Sequence, residues 1–270
     1  MPVPDTYTHG HHESVLRSHR WRTAENSAAY LLPQLRSGMA LLDVGCGPGN
    51  ITCDLADRVA PGPVVGLDVS AEVVTAAATD AEARGTANVS FQTGDLYALE
   101  FDDDAFDVVH AHQVLQHLTD PVAALAEMRR VVRPDGVVAV RDSDYAAMTW
   151  SPAEPRLDRW LELYQQVTAR NGAEADAGRR LLGWAQRAGF ASIEVSSSNW
   201  TYADPETRAW WADLWADRVG LPESALAAQA LEYGLATQEE LADLAKGWRS
   251  WATAEDGVFI VVHGEVLARG

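Results

Sequence analysis

The chain has 270 residues, with 39 Asp and Glu against 21 Lys and Arg, so its formal charge at pH 7 is −18. A surface this acidic repels phosphate backbones and anionic lipid headgroups, which argues against nucleic acid and membrane partners, although a basic pocket inside an acidic shell is compatible with it. The two cysteines, Cys46 and Cys53, exclude a disulfide framework. We find no secretory signal and no apolar run of about 20 residues, and therefore expect a soluble, cytoplasmic protein.

The first 13 residues are polar and include four side chains of metal-ligand types: His9, His11, His12 and Glu13. No second cluster completes a site around them, so we interpret the stretch as a polar arm and predict no metal. From Ser14 to Leu35 the apolar residues recur at helical spacing, which predicts a helix that Pro33 interrupts.

From residue 39 onward, short apolar runs alternate with helical patterns. The runs predict strands at 39–44, 64–68, 88–92, 106–111 and 137–140, and the segments between them predict helices at 50–59, 70–84 and 121–132. Two later runs, 193–195 and 258–262, predict two further strands, of which the last is expected to run antiparallel. This alternation indicates a Rossmann-like α/β fold, with a seven-stranded, mostly parallel sheet and helices on both faces.

The other segments do not follow the alternation. They contain predicted helices at 156–169 and 179–188 and several Trp-rich helices within 204–252. The predicted organisation is an N-terminal arm and helix (1–37), a Rossmann-like core (38–142), a helical insertion (143–176), a second core piece (177–203), a Trp-rich helical segment (204–252) and a last core strand (253–270). We expect the first, third and fifth pieces to gather over the carboxyl edge of the sheet as a lid.

A glycine-rich turn follows the first strand. Gly45, Gly47 and Gly49 give the spacing G-x-G-x-G immediately before a helix, so the backbone turns tightly and the helix N-terminus faces into the turn. A dinucleotide-binding loop would have glycine or alanine at the next position, where this chain has Asn50. The loop therefore departs from the spacing that binds pyrophosphate, and a tight turn without a ligand is the alternative interpretation.

Three carboxylates lie near the carboxyl ends of the first three strands. Asp43 is expected to hold loop amides or to meet a ligand ammonium through water. Asp68 stands where a carboxylate accepts hydrogen bonds from ribose hydroxyls, with helix capping as the alternative. Asp95 is expected to accept the exocyclic amine of an adenine, although taken alone it is typical of a turn. Together the three predict a nucleoside-shaped site.

These segments resemble the class I S-adenosylmethionine-dependent methyltransferases, and in particular the type 11 branch that includes the quinone-biosynthesis C-methyltransferases. The resemblance rests on 41–49 (LLDVGCGPG), 64–70 (VVGLDVS), 94–101 (GDLYALEF), 106–109 (FDVV), 117–121 (HLTDP) and 129–136 (RRVVRPDG). It covers residues 38–142 and extends to the rest of the chain only by architecture. It implies S-adenosyl-L-methionine as the cofactor and methyl transfer as the reaction.

The resemblance also implies a place for each matching position beside the cofactor. On the methionine side the implied residues are Asp43, Gly45, Cys46, Gly47 and Gly49. On the adenosine side, Asp68 is implied at the ribose. The residues implied at the adenine are Val69, Gly94, Asp95 and Leu96. Near the sulfonium, just past the fourth strand, they are His112 and Gln113.

Candidates for contact with a substrate follow the fourth and fifth strands. His117 is the first candidate for a general base, with packing near the cofactor as the alternative, and Tyr145 is the second catalytic candidate. The predicted substrate-binding residues are Asp142, Asp144, Trp150 and Tyr164. For Asp144 the alternative is a turn cap, and most of the tryptophans are expected to form the core of the lid, with some of them walling a pocket.

The predicted function is methyl transfer by in-line displacement to a small or mid-sized, partly apolar metabolite. Positioning supplies much of the catalysis in such a reaction, and a base is needed only when the acceptor must first lose a proton. One alternative is a member of the same fold that uses the cofactor for other chemistry. A nicotinamide-dependent oxidoreductase is the other, and the glycine spacing counts against it. The acceptor, the methylated atom and the oligomeric state are not predicted.

Overall fold

The computed structural model describes residues 5, 6, 8 and 18–270. Its strands, in chain order, are Leu41–Val44 (β1), Val64–Asp68 (β2), Val89–Thr93 (β3), Phe106–His112 (β4), Val132–Ser143 (β5), Thr149–Ser151 (β6), Ser192–Tyr202 (β7) and Val258–Arg269 (β8). They form one sheet in the order β3-β2-β1-β4-β5-β8-β6, and β7 pairs with the other side of β8.

Residues 18–20 are α-helical, and the further α-helices are Ala24–Ser27 (α1), Asn50–Val59 (α2), Ala71–Arg84 (α3), Pro121–Val131 (α4), Pro155–Arg170 (α5), Leu181–Arg187 (α6), Pro205–Gly220 (α7), Ala225–Glu232 (α8) and Gln238–Ala252 (α9). None of these helices is long and apolar enough to cross a membrane. Side chains cap several of them, as when the Ser70 hydroxyl accepts a hydrogen bond from the Val73 amide at the start of α3.

Strands β1 to β5 are parallel, and β8 runs antiparallel to its neighbours β5, β6 and β7. The predicted Rossmann-like architecture, including the antiparallel last strand, is therefore confirmed. One strand, β6, is additional to the seven that were predicted. It has only three residues, pairs with the start of β8 and contains no apolar run in the sequence. Because β1 to β5 are parallel, their carboxyl ends meet at one edge of the sheet.

Both faces of the sheet are covered by helices. On one face α4 and α6 bury Leu125, Met128 and Trp184 against β4 and β5. On the other face α1 and α2 bury Ala24 and Leu55 against the same strands. Burial on both sides explains why the central strands are continuous apolar runs, and why those runs could be recognised in the sequence.

A third cluster of buried side chains lies in the helices that do not follow the strand–helix alternation. Trp160 of α5, Trp215 of α7 and Trp248 of α9 meet there, with ring centroids 4.5 and 4.8 Å from that of Trp160, and Phe259 of β8 joins them. Large aromatic side chains that pack edge to face remove much apolar area from water. This aromatic cluster holds the helices of the Trp-rich segment onto the start of β8.

Some boundaries differ from the sequence expectations. The helix expected from Ser14 to Leu35 is not continuous within residues 18–35: residues 18–20 are helical, and the Thr23 hydroxyl then accepts from the Asn26 amide and begins the separate four-residue α1. The strand expected at 193–195 extends to Tyr202, since all of β7 pairs with β8. The helix expected from 179 begins as a 3-10 turn, and residues 133–136, which lie between an expected helix and an expected strand, form a bulge within β5.

Candidate active site

The glycine-rich loop connects β1 to α2 at the carboxyl edge of the sheet. Gly45 has a φ of +66°, and a Cβ there would collide with the side chain of Val114. Gly49 has a φ of +79°, and its Cβ would lie 2.8 Å from the ring of Phe91. Backbone conformation and space therefore both require glycine at these positions. At Gly47 there is more space, because the nearest atom of a described residue to an added Cβ would be His19 Nδ1, at 3.8 Å.

Asp68 connects three strand ends through hydrogen bonds. Its Oδ2 accepts from the Gly47 amide at 3.1 Å, and its Oδ1 accepts from the Ser70 amide at 3.0 Å. The carbonyl oxygen of Asp68 accepts from the amide of Gly94 at 3.1 Å. The glycine loop, the end of β2 and the end of β3 are thus brought together, as the strand pattern predicted. Val69 beside them is 79% exposed.

The remaining residues predicted for the adenosine side have different environments. Asp95 is exposed, and its Oδ1 accepts from the Tyr97 amide at 2.9 Å, which closes a local turn. The Leu96 side chain belongs to the buried cluster under α4, so only its backbone can face a ligand. On the opposite side of the loop, Cys46 is buried and its amide donates to the Leu67 carbonyl at 3.0 Å.

Asp43 was expected to hold the loop amides or to meet a ligand ammonium through water, and its carboxylate does not contact the loop amides. Its Oδ1 lies 2.7 Å from His110 Nδ1, and its Oδ2 accepts from the Thr52 hydroxyl at 2.5 Å. Asp43 and His110 are register partners on β1 and β4, so the sheet itself places them side by side. The carboxylate is nearly inaccessible to solvent and anchors α2 beneath the loop rather than facing outward.

These strand ends fit S-adenosylmethionine, whose adenosine combines polar ribose hydroxyls with an apolar ring. The carboxylate of Asp68 is a hydrogen-bond acceptor at the end of β2, and the exposed Val69 beside it offers an apolar contact. The glycine loop lets a ligand approach the backbone closely at Gly47, where no described residue lies nearer than His19. Acceptors, apolar surface and open backbone are the three features that such a ligand needs.

A narrow cavity that is partly open to solvent lies beside the ends of β4 and β5. Its aromatic walls are Trp21, Tyr145, Trp200, Tyr202, Trp210, Trp211 and Trp215. Its polar and charged walls are Ser18, His19, Arg22, Gln113, His117, Ser143 and Arg218. Apolar walls with a few convergent polar groups are typical of sites for small molecules.

Gln113 is held in the cavity wall by contacts to three hydrogen-bonding partners. Its φ is +55°, which is unusual outside glycine, and its amide donates to the Arg141 carbonyl at 2.7 Å. Its Nε2 donates to the Ser143 hydroxyl at 2.7 Å and lies 2.9 Å from His263 Nε2. A strained backbone that is fixed so firmly is common at functional sites.

The segment around residues 18–26 covers this edge of the sheet. Arg218 of α7 donates to the Ser18 hydroxyl at 2.7 Å, and Trp200 Nε1 donates to the Asn26 carbonyl at 2.7 Å. Trp21 packs edge to face against Trp200, with ring centroids 5.3 Å apart. From this segment, His19 and Arg22 line the cavity.

The histidines at this edge are poor bases. Burial lowers the pKa of His117 to about 3, and the positive charge of Arg22 adds to the effect. Burial, with Arg141 nearby, also lowers the pKa of His112 and of His263 well below 6.5. All three imidazoles are therefore neutral at pH 7. A base works best when its pKa lies near the working pH, so the value for His117 favours packing over proton removal.

Several residues predicted to bind the substrate are engaged elsewhere. Asp144 forms a two-point ion pair with Arg179, at 2.6 and 2.7 Å, and does not line the cavity. Trp150 stacks on Phe259 in the aromatic cluster. Tyr164 stacks behind Tyr145, with ring centroids 4.0 Å apart, so it supports a wall residue without reaching the cavity.

Two further residues lie just behind the cavity. Asp142 is fully buried, its Oδ1 accepts from the Gln116 amide at 3.0 Å, and burial raises its pKa to about 7. The ring of His112 lies against Trp200, with centroids 5.8 Å apart, and does not form part of the wall. Of the residues predicted to contact sulfonium or substrate, the structure thus brings Gln113, His117 and Tyr145 together at one cavity.

Two other residues of the cavity wall, Arg218 and Ser143, were not predicted from the sequence. A signal for Arg218 was present, because Trp211, Trp215 and Arg218 recur at spacings of four and three and so share one face of α7. For metals, residues 5, 6, 8 and 18–270 contain no group of three His, Cys, Asp or Glu that could hold an ion. The candidates in the polar arm, from His9 to Glu13, lie outside the described residues.

Comparison with known proteins shows the family to which this chain belongs. The family described as methyltransferase domain matches residues 35–197. An uncharacterized methyltransferase of Schizosaccharomyces pombe is 34% identical over 97% of this chain and 95% of its own, and the probable methyltransferase ltbC of Aspergillus luteorubrus is 30% identical over 98% and 97%. The crystal structure of the YcgJ protein of Bacillus subtilis shares the fold, with a TM-score of 0.57 and 19% identity over 96% of this chain and 99% of that one. The chain belongs to the methyltransferase-domain family and is an S-adenosylmethionine-dependent methyltransferase.

Proposed function

We propose that the chain transfers a methyl group to a small or mid-sized, partly apolar metabolite that occupies the aromatic cavity. The observation that carries this proposal is the position of the cavity. His19, which lines it, approaches Gly47 of the glycine loop, and Gln113 and His117 at the end of β4 form its other side. A donor on the loop and an acceptor in the cavity would therefore be neighbours.

On the donor side, the chain supplies contacts rather than chemistry. Asp68 is proposed to accept hydrogen bonds from the ribose hydroxyls, in place of or beside the loop amide that it holds now. Val69 would pack against the adenine, and Asp95 would accept from its amine. The backbone of the loop from Gly45 to Gly49 would contact the methionine part of the cofactor. Bound S-adenosylmethionine supplies an electrophilic methyl group on a sulfonium.

On the acceptor side, the aromatic walls exclude water and hold the acceptor in line. Fixed orientation of two reactants can supply a large part of a rate enhancement, which suits a site whose histidines are neutral and weakly basic. Gln113 is rigid enough to orient a polar atom of the acceptor. Tyr145 and His117 are proposed as contacts to the acceptor, and none of these residues is assigned the removal of a proton.

Replacing Asp68 with alanine tests the donor side. We expect S-adenosylhomocysteine to bind about 10-fold to 150-fold more weakly, because hydrogen bonds to a charged group contribute about 1.5–3 kcal/mol. Calorimetric titration measures the change, and Asp102→Ala, in an exposed acidic turn, is the matched control that should leave affinity unchanged. NAD should give no binding heat. An Asp68→Ala variant that binds as tightly as the parent protein would assign Asp68 a purely structural role.

A further inference from the structure

The side-chain amide of Gln113 has one end that is held by neighbours and one end that is not. The held end lies 2.7 Å from the Ser143 hydroxyl and 2.9 Å from His263 Nε2. The other end has no hydrogen-bond partner among the described residues, and the side chain is partly exposed in the cavity wall. The nitrogen and the oxygen of a primary amide are alike in size, so the partners at the held end decide which of the two faces the cavity.

Arg141 decides which nitrogen of His263 carries the proton. Its Nη2 lies 3.0 Å from His263 Nδ1, and a guanidinium group donates hydrogen bonds but never accepts them. Nδ1 must therefore accept with its lone pair, which an imidazolium would not have. Burial and the charge of Arg141 also hold the pKa of His263 well below 6.5. The neutral ring thus has its single proton on Nε2, the nitrogen that faces Gln113.

This proton requires an acceptor at the held end of Gln113. With the amide nitrogen at that end, two N–H donors would face each other at 2.9 Å beside a fully buried imidazole. A half-turn about the last bond of the side chain brings the amide oxygen to the same place without moving the backbone. The oxygen can then accept from His263 Nε2 and from the Ser143 hydroxyl. Because a buried donor without an acceptor is unfavourable, the half-turned orientation is the stable one.

We propose that His263 is a positioning residue that turns the amide nitrogen of Gln113 toward the cavity, and so makes Gln113 a hydrogen-bond donor to the molecule that accepts the methyl group. The presence of that molecule in the cavity rests on the proposed function. It would offer an atom with a lone pair, such as a carbonyl or hydroxyl oxygen, opposite Gln113, and His263 itself would not touch it. The φ of +55° at Gln113 supports a role beyond packing, since strained backbone is common at functional sites.

A neighbouring pair of side chains provides an internal comparison with the opposite outcome. Gln116 Oε1 accepts from the Ser143 amide at 3.2 Å, so the amide nitrogen of Gln116 faces His117 Nε2 at 3.0 Å. His117 Nε2 must then accept, and the pKa of about 3 keeps this ring neutral, so its proton lies on Nδ1. The two histidines are therefore expected to carry their protons on different ring nitrogens.

NMR spectroscopy of the protein labelled with ¹⁵N in histidine and glutamine tests the proposal at pH 7. Correlation of ring protons with ring nitrogens shows which nitrogen is protonated, and His263→Gln and His117→Gln assign the signals by their loss. We expect the proton on Nε2 in His263 and on Nδ1 in His117. The amide protons of Gln113, assigned with Gln113→Leu, should exchange with water about as fast as those of the exposed Gln238. They should exchange at least about 10-fold faster than those of the buried Gln116, which are held in a hydrogen bond.

Arg141→Met with Glu265→Gln tests the cause, because it removes the donor to His263 Nδ1 together with its buried counter-charge. We expect a second tautomer of His263 to appear in this variant and not in the control Arg249→Met, at an exposed ion pair. A proton on Nδ1 of His263 in the parent protein would overturn the proposal. So would slow exchange of the Gln113 amide, or a single unchanged tautomer in the double variant. Methyl transfer would survive each of these results, since binding of S-adenosylhomocysteine tests it separately.

Discussion

Replacing Arg141 with methionine is expected to lower the free energy of unfolding by about 3–5 kcal/mol. Arg141 is 1% exposed and lies in a row of register partners that crosses the sheet from His112 to Glu265 and Ser196. Its Nε is 3.3 Å from Glu265 Oε1, and its Nη2 is 3.0 Å from His263 Nδ1. Without the guanidinium, the carboxylate of Glu265 would remain buried with no compensating cation.

The paired variant separates charge from packing. Arg141→Met with Glu265→Gln removes both charges, and the glutamine amide can accept from one of Ser196 and Ser198 and donate to the hydroxyl of the other, so we expect most of the lost stability to return. Arg249→Met, at an exposed ion pair, should cost about 0–1 kcal/mol. Guanidinium chloride unfolding measures all four proteins. A cost for Arg141→Met as small as that of the exposed control would show that the buried pair is not needed to hold the site.

Replacing Asp142 with asparagine is expected to change how stability depends on pH. Burial raises the pKa of Asp142 from 3.8 to about 7, so between these values the folded protein binds a proton that the unfolded chain has lost. Stability must therefore fall as pH rises through this range, because ionisation is disfavoured only in the folded state. Asparagine keeps an oxygen for the Gln116 amide and does not titrate.

The difference in unfolding free energy between Asp142→Asn and the parent protein should therefore rise by about 2–3 kcal/mol from pH 5 to pH 8. Other carboxylates titrate in both proteins, and their contributions cancel in the difference. Urea unfolding at four or five pH values between these limits gives the curve. A constant offset across the range would mean that the buried carboxyl ionises as it does in the unfolded chain.

Much of the fold was predictable because its elements have local causes. The glycine loop precedes α2, an apolar run forms β2, and Ser70 caps α3. The structure has these three elements at the predicted residues. The strand β6 was missed because three residues without an apolar run acquire their structure only by pairing with β8. The N-terminal helix was overextended because periodicity does not show where a new cap, here Thr23, interrupts it.

The candidate site divides in the same way. Gly45, Gly47, Gly49 and Asp68 could be placed from the sequence, since a turn after a strand and a carboxylate at a strand end carry local signals. The acceptor side could not, because long-range pairing decides it. Asp144 forms an ion pair with Arg179, 35 residues later in the chain. The side chain of Gln113 is held by His263, 150 residues later. Such partners leave no pattern in the sequence around either residue.

A crystal structure of the complex with S-adenosylhomocysteine is the most direct test of the site as a whole. We predict that the adenosine lies against Asp68 and Val69, that the amino-acid part follows Gly45 to Gly49, and that the sulfur faces the cavity between Gln113 and His117. Binding at any other place would contradict the account. So would a complex in which the sulfur faces away from the cavity, because donor and acceptor could then not meet in line.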